Sequence, residues 1–140
     1  MATLKISDLS IGDWVRDGNG IIAKVRGIEN WSDGYILNVQ TISGSICTLS
    51  VTGALPIPIT AEILENNGFE RGNRGNFYHH LRLDKNRTLY IHASTNGWRV
   101  EITYDAAGIL RTTHLMPDMN SVHDLQHALR LAGIDKEINL

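Results

Sequence analysis

Little in this chain can hold it together covalently or through a metal. Cys47 is its single cysteine, which excludes an internal disulfide framework and any multi-cysteine zinc site. No run approaches the roughly 18 apolar residues of a membrane-spanning helix. The opening stretch, Met1 to Ser10, lacks the charged and apolar regions of a secretory leader. Also missing are a Walker A loop, Gly-x-Gly-x-x-Gly, Gly-x-Ser-x-Gly and His-Glu-x-x-His. These absences set the expectation of a soluble, intracellular protein that is not an enzyme and carries no cofactor or metal.

What is present describes one ordinary folded unit. Of the 140 residues, 42% are hydrophobic and 20% charged, a balance that builds a core and leaves no reason to expect disorder. Net charge is −2, which argues against a protein that coats nucleic acid. The mean conceals an asymmetry. Residues 1–70 carry only Lys5, Arg16, Lys24 and Arg26 as bases, outnumbered by acids. Residues 71–114 reverse this, with Arg71, Arg74, Arg82, Lys85, Arg87, Arg99 and Arg111 against Asp84, Glu101 and Asp105. His79, His80, His92 and His114 lie in the same basic stretch. An anionic ligand is expected there first.

The pattern predicts an α+β protein in two regions. Residues 1–57 read as short strands, Asp13–Asp17, Ile21–Ile28, Tyr35–Ile42 and Ser45–Val51, between glycine-containing turns, which suggests an SH3-like small β-barrel. Pro56 and Pro58 end that run, because neither donates to a ladder. Residues 58–140 then read as helix, meander and helix. Thr60 caps a helix to Asn67, Gly68 ends it, and Phe69 packs back on Leu64. Four antiparallel strands follow, Asn76–Leu83, Thr88–Ser94, Trp98–Tyr104 and Ile109–Leu115, with Asn96-Gly97 as the clearest hairpin turn. After Pro117 a C-terminal helix is expected to back the meander. Ser121 and Asp124 form its capping box, Val122, Leu125, Ala128, Leu129 and Ala132 its apolar stripe, and Gly133 its stop.

Three stretches carry a likeness to known proteins: Ile11-Gly12-Asp13-Trp14-Val15, Pro58-Ile59-Thr60-Ala61-Glu62-Ile63-Leu64-Glu65-Asn66-Asn67-Gly68-Phe69, and residues 122–137, beginning Val122-His123-Asp124-Leu125-Gln126-His127. Together they resemble a group of small uncharacterised proteins encoded by Bacteroidales genomes, their phages and mobile elements. The resemblance implies a phage or mobile-element gene acting in the cytoplasm of a bacterial host cell, where small binding proteins that counter host defence are a plausible class. It supplies no catalytic motif.

The binding residues are sought in the basic middle. In Arg71-Gly72-Asn73-Arg74-Gly75, glycines free backbone N–H groups for an anion and the two arginines offer fork-shaped donors; the alternative is a solvated turn. Alternation along the meander turns Phe77, Leu81, Leu83, Leu89, Ile91, Ala93, Trp98, Val100, Ile102 and Tyr104 inward. It leaves Tyr78, His80, Arg82, Tyr90, His92 and Arg99 on an outer face, beside Glu101. Bases stack on such rings and phosphates pair with such arginines, though exposed tyrosine and arginine also serve strand propensity and solubility. His123 and His127, four residues apart, have metal-ligand spacing, but Arg130 on that face repels a cation. Cys47 in a strand reads as a small core hydrophobe.

These readings favour a non-enzymatic protein that sequesters a small anionic, nucleotide-like signal, working as a homodimer or higher homo-oligomer. An alternative is a protein-interaction adaptor whose barrel presents Trp14, Trp31 and Tyr35 as a contact patch. A third is a nucleotide-directed enzyme using His79, His80, His92 or His114 as acid and base.

Overall fold

Ala23 and Val25 flank Lys24, Leu37 and Val39 flank Asn38, and all four apolar residues fall on one face of an antiparallel hairpin. The computed structural model describes residues 4–72, 78–94, 97–106 and 108–140. Its strands pair antiparallel and its helices are few, an α+β arrangement divided into two units. Unit 1 is Met1–Pro58 with Ser121–His123, and unit 2 is Ile59–Asn120 with Asp124–Leu140.

In unit 1, β1 (Trp14–Arg16), β2 (Ile22–Trp31), β3 (Gly34–Thr41) and β4 (Ile46–Ser50) form one sheet in chain order. Leu9, Val15, Ala23, Val25, Leu37, Val39, Val51 and Ala54 make its core. A register shift between Val25 and Gly27 marks a bulge, which strengthens the twist of β2. After β4 a 3-10 turn, Val51–Gly53, is capped by the Ser50 hydroxyl. Leu55 then bridges Arg16 with backbone bonds in both directions, 3.0 and 2.8 Å. The sheet therefore curls into a half-barrel.

Unit 2 starts with α1 (Ala61–Asn66), whose Ile63 N–H donates to the Thr60 hydroxyl. Its end has the geometry its sequence predicts. Gly68 takes a φ of 87°, its N–H donates to Glu65 O, and the Phe69 N–H donates to Leu64 O at 3.0 Å. The sheet that follows has five strands, not the expected four: β5 (Glu70–Arg71), β6 (Tyr78–Arg82), β7 (Arg87–Ser94), β8 (Gly97–Ala106) and β9 (Ile109–Met119), in that order. The added strand forms because the chain leaving α1 runs antiparallel beside β6. Asn96 of the expected Asn-Gly turn lies outside the described residues, and Gly97 already pairs with Ser94. Strand β9 passes through Pro117 instead of stopping at Leu115, as an edge strand can, and its register with β8 shifts on both sides of Val100.

The last helix, α2 (Val122–Leu131), ends like the first, with the Ile134 N–H donating to Leu129 O. Leu125, Ala128 and Leu129 are buried, as are Leu89, Ile91, Val100 and Ile102 of the sheet. The Ser121 hydroxyl lies 3.0 Å from His123 Nδ1, and the Asp124 carboxylate accepts from the Asn120 N–H. Gln126 binds the backbone of the C-terminal tail, donating to Lys136 O and accepting from the Ile138 N–H.

Candidate functional site

The outer face of the five-stranded sheet is built by register. Tyr78 stands opposite His92, and His92 opposite Arg99; His80 stands opposite Tyr90, and Tyr90 opposite Glu101. Directly opposed residues share a face, so the four rings meet there. Centroids of neighbouring rings in this group lie 5.8–6.1 Å apart, with Tyr78 and Tyr90 each near the other three, and the Tyr90 and His92 planes differ by only 22°. Beside Tyr90, the Arg82–Thr88 pair extends this face. A cavity of about 490 Å³ opens here, lined by Gly68, Glu70, His80, Leu81, Arg82, Thr88 and Tyr90. Its size suits a small ligand.

Charges on this face divide into two groups. Arg99 Nε lies 3.0 Å from one Glu101 oxygen and His92 Nε2 3.3 Å from the other, and the carboxylate is only 13% exposed. That carboxylate already engages the Arg99 donor. Arg82 differs: its Nη2 donates to Lys85 O, and its remaining N–H groups have no partner among the described residues. Glu70, opposite His80 in the register, places a carboxylate oxygen 3.4 Å from His80 Nε2.

Six of the expected binding residues are thus together: Tyr78, His80, Arg82, Tyr90, His92 and Arg99. Arg71 is not with them. It stands opposite His79 in the register, so it lies on the other face, with Glu65 3.6 Å from its Nε. Nor does Gly72 offer its N–H to an anion, because that N–H donates to Tyr78 O at 2.9 Å. Gly72 serves another purpose: a Cβ there would fall inside the Tyr78 ring, so only glycine lets the ring lean across β5. Arg74 and the rest of the expected arginine–glycine loop lie outside the described residues. Sequence did not single out Thr88 or Glu70, and pointed to Gly68 only as the end of α1. The signal for Thr88 is its hairpin register with Arg82, and the other two depend on the unexpected strand β5.

The inner face holds an unusual group. His79 is 5% exposed, and neither ring nitrogen has a partner among the described residues. Burial lowers its pKa below the ordinary histidine value; Glu65 opposes this shift, while Arg71 and His80 reinforce it. Trp98 meets its ring edge-on at 6.3 Å. Two positions expected inward, Ala93 and Tyr104, are exposed, because they lie toward strand ends past the buried residues. Cys47 is exposed too, contrary to expectation, because β4 is an edge strand.

The three-aromatic patch expected of an adaptor is not assembled. Trp14 is buried, with Lys24 Nζ 5.4 Å from its ring centre. Tyr35 pairs with Asn30 and Trp31 with Gly34, which sends Tyr35 and Trp31 to opposite faces of their hairpin. Among the described residues, no three His, Cys, Asp or Glu side chains are grouped to hold a metal, and no helix is long and apolar enough to cross a membrane. No known protein family, curated protein or solved structure matches the chain.

Proposed function

We propose that unit 2 binds a small planar anion of nucleotide type on its outer sheet face and holds it without chemical change. The observation that carries this reading is the ring cluster beside the Arg82 guanidinium, which holds no carboxylate among the described residues and spends only Nη2 on Lys85 O: Tyr90 and His80 supply planes for a base, while Arg82 and the Thr88 hydroxyl supply donors for a phosphate. Glu101 neutralises Arg99 locally, so attraction for anions concentrates at the Arg82 end and does not spread over the sheet. That suits capture of one small ligand better than coating of a nucleic acid.

In this reading the protein is a cytoplasmic, non-enzymatic sponge of a Bacteroidales phage or mobile element that withdraws a defence signal in its host. The biological context comes from the sequence resemblance, and the chemistry from the sheet. Unit 1 is read as an SH3-like small barrel, on the strength of the 3-10 turn after β4 and the return of Leu55 to β1. A homo-oligomer belongs to the same reading, since a site near a symmetry axis encloses a ligand more fully than an open face. Heating protein purified from a host mounting a defence response, then identifying the released small molecules by mass spectrometry, tests it. A nucleotide in stoichiometric amount is expected; release of no anionic small molecule, with no uptake of added nucleotides, counts against it.

A further inference from the structure

From Gly34 through Ala61 the chain carries no charged side chain, and β4 lies within that span. Edge strands normally carry lysine, proline or a bulge that stops other strands from pairing with them. β4 carries none of these. It lies at one end of the sheet order, and among the described residues no strand pairs with its outer side. At the other end, Leu55 covers part of β1 through its bridge to Arg16. Ile46 on β4 is 78% exposed and Ile42, just before it, 61%.

The backbone of β4 is oriented for a further pairing. The Thr41 N–H donates to Ser45 O. Alternation along the ladder from that pair turns the backbone groups of Cys47 and Leu49 toward β3, and those of Ile46, Thr48 and Ser50 outward. We propose that the β4 edge is a self-pairing surface, on which a second copy of this chain adds its own β4 antiparallel about a two-fold axis at Thr48.

Two features select a second copy over an unrelated strand. At a two-fold axis the axial side chain meets its own duplicate, so a charge there would repel itself; Thr48 is uncharged, as is the rest of the strand. Register about Thr48 also matches polarity on the core-side face, where Cys47 meets the partner's Leu49 and Leu49 the partner's Cys47. Outward backbone groups then pair as Thr48 with the partner's Thr48, and Ile46 with the partner's Ser50. The inference concerns unit 1 and does not depend on the ligand reading of unit 2.

Sedimentation velocity of the full chain across a concentration series tests it. The wild type is expected to sediment as a dimer. Thr48→Lys, which sets two like charges directly opposite each other at the axis, and Thr48→Pro, which removes an outward N–H without touching the β3 ladder, are each expected to halve the sedimenting mass. Circular dichroism should show both variants folded. Hydrogen exchange of the wild type adds a readout that needs no variant: the Ile46, Thr48 and Ser50 amides should slow as concentration rises. A wild type that stays monomeric at every concentration overturns the proposal. So does a dimer that persists in both variants, or edge amides that exchange freely in the dimer. Protection of those amides only when a different protein is added would assign the edge to a foreign strand and likewise overturn it.

Discussion

Asn67 holds Asn139 by both ends of its amide, accepting the Asn139 N–H at 2.7 Å through Oδ1 and donating to its carbonyl at 2.8 Å through Nδ2. The same Nδ2 donates to Ile63 O. A buried side chain thus pairs with the C-terminal tail as a neighbouring strand would, and joins it to the end of α1. Ile138, beside Asn139, is fully buried, so the clamp fixes an apolar anchor as well. Asn67→Ala leaves these backbone groups without their partner, which costs about 1–3 kcal/mol. Urea unfolding measures this, and the Asn139 amide should exchange faster in the variant.

His79 makes stability depend on pH. Its folded-state pKa lies below the ordinary value, so the unfolded chain binds the proton more readily than the folded one. Its contribution is fully present above the unfolded value of about 6.5, and is lost as pH falls from there through the lowered folded value. His79→Phe is expected to flatten the fall in melting temperature below pH 6.5, since phenylalanine suits the apolar inner face. Carboxylates such as Asp84, lowered chiefly by the Asn86 N–H, then by Arg87, act in a more acidic window and leave this comparison clear.

Glu101 opposes any anion on the outer face. Glu101→Gln removes a negative charge beside Arg99 and His92, and should strengthen nucleotide-type binding by about 0.5–1 kcal/mol, more at low salt than at high. Arg99→Ala should weaken binding by a similar amount, less than loss of Arg82, because Arg99 is already engaged with Glu101. Titrations at two ionic strengths separate these effects from direct contact.

Local chemistry was the legible part of this chain. The endings at Gly68 and Gly133 follow from glycine's access to positive φ and from an apolar residue just beyond it, all within a few positions. Alternation placed the Tyr78–His80–Arg82 and Tyr90–His92 faces, since period two survives any detail of the turns. Strand β5 was not legible: two residues give no periodicity, and the pairing of Glu70 with His80 depends on where the chain leaves α1. Arg71, expected in an anion-binding loop, lies in β5 for the same reason, and its pairing with His79 turns it to the other face. The open edge at β4 could have been suspected from the uncharged span Gly34–Ala61, but only strand order shows that β4 is an edge.

The central claim is that Arg82 and Tyr90 jointly hold a nucleotide-type anion. Calorimetric titration of the wild type, Arg82→Ala and Tyr90→Ala with a panel of mono- and cyclic nucleotides tests it most directly. The wild type should bind at least one member of the panel. Arg82→Ala should lose about 1.5–3 kcal/mol of that binding through a missing charge-assisted bond, and Tyr90→Ala about 1–3 kcal/mol through lost stacking. The melting temperature of Arg82→Ala should change little, because that side chain is exposed, whereas Tyr90→Ala should show a modest fall as its ring contacts with Tyr78, His80 and His92 are lost. Wild-type protein that binds no nucleotide, or binding that survives both substitutions unchanged, would contradict the account.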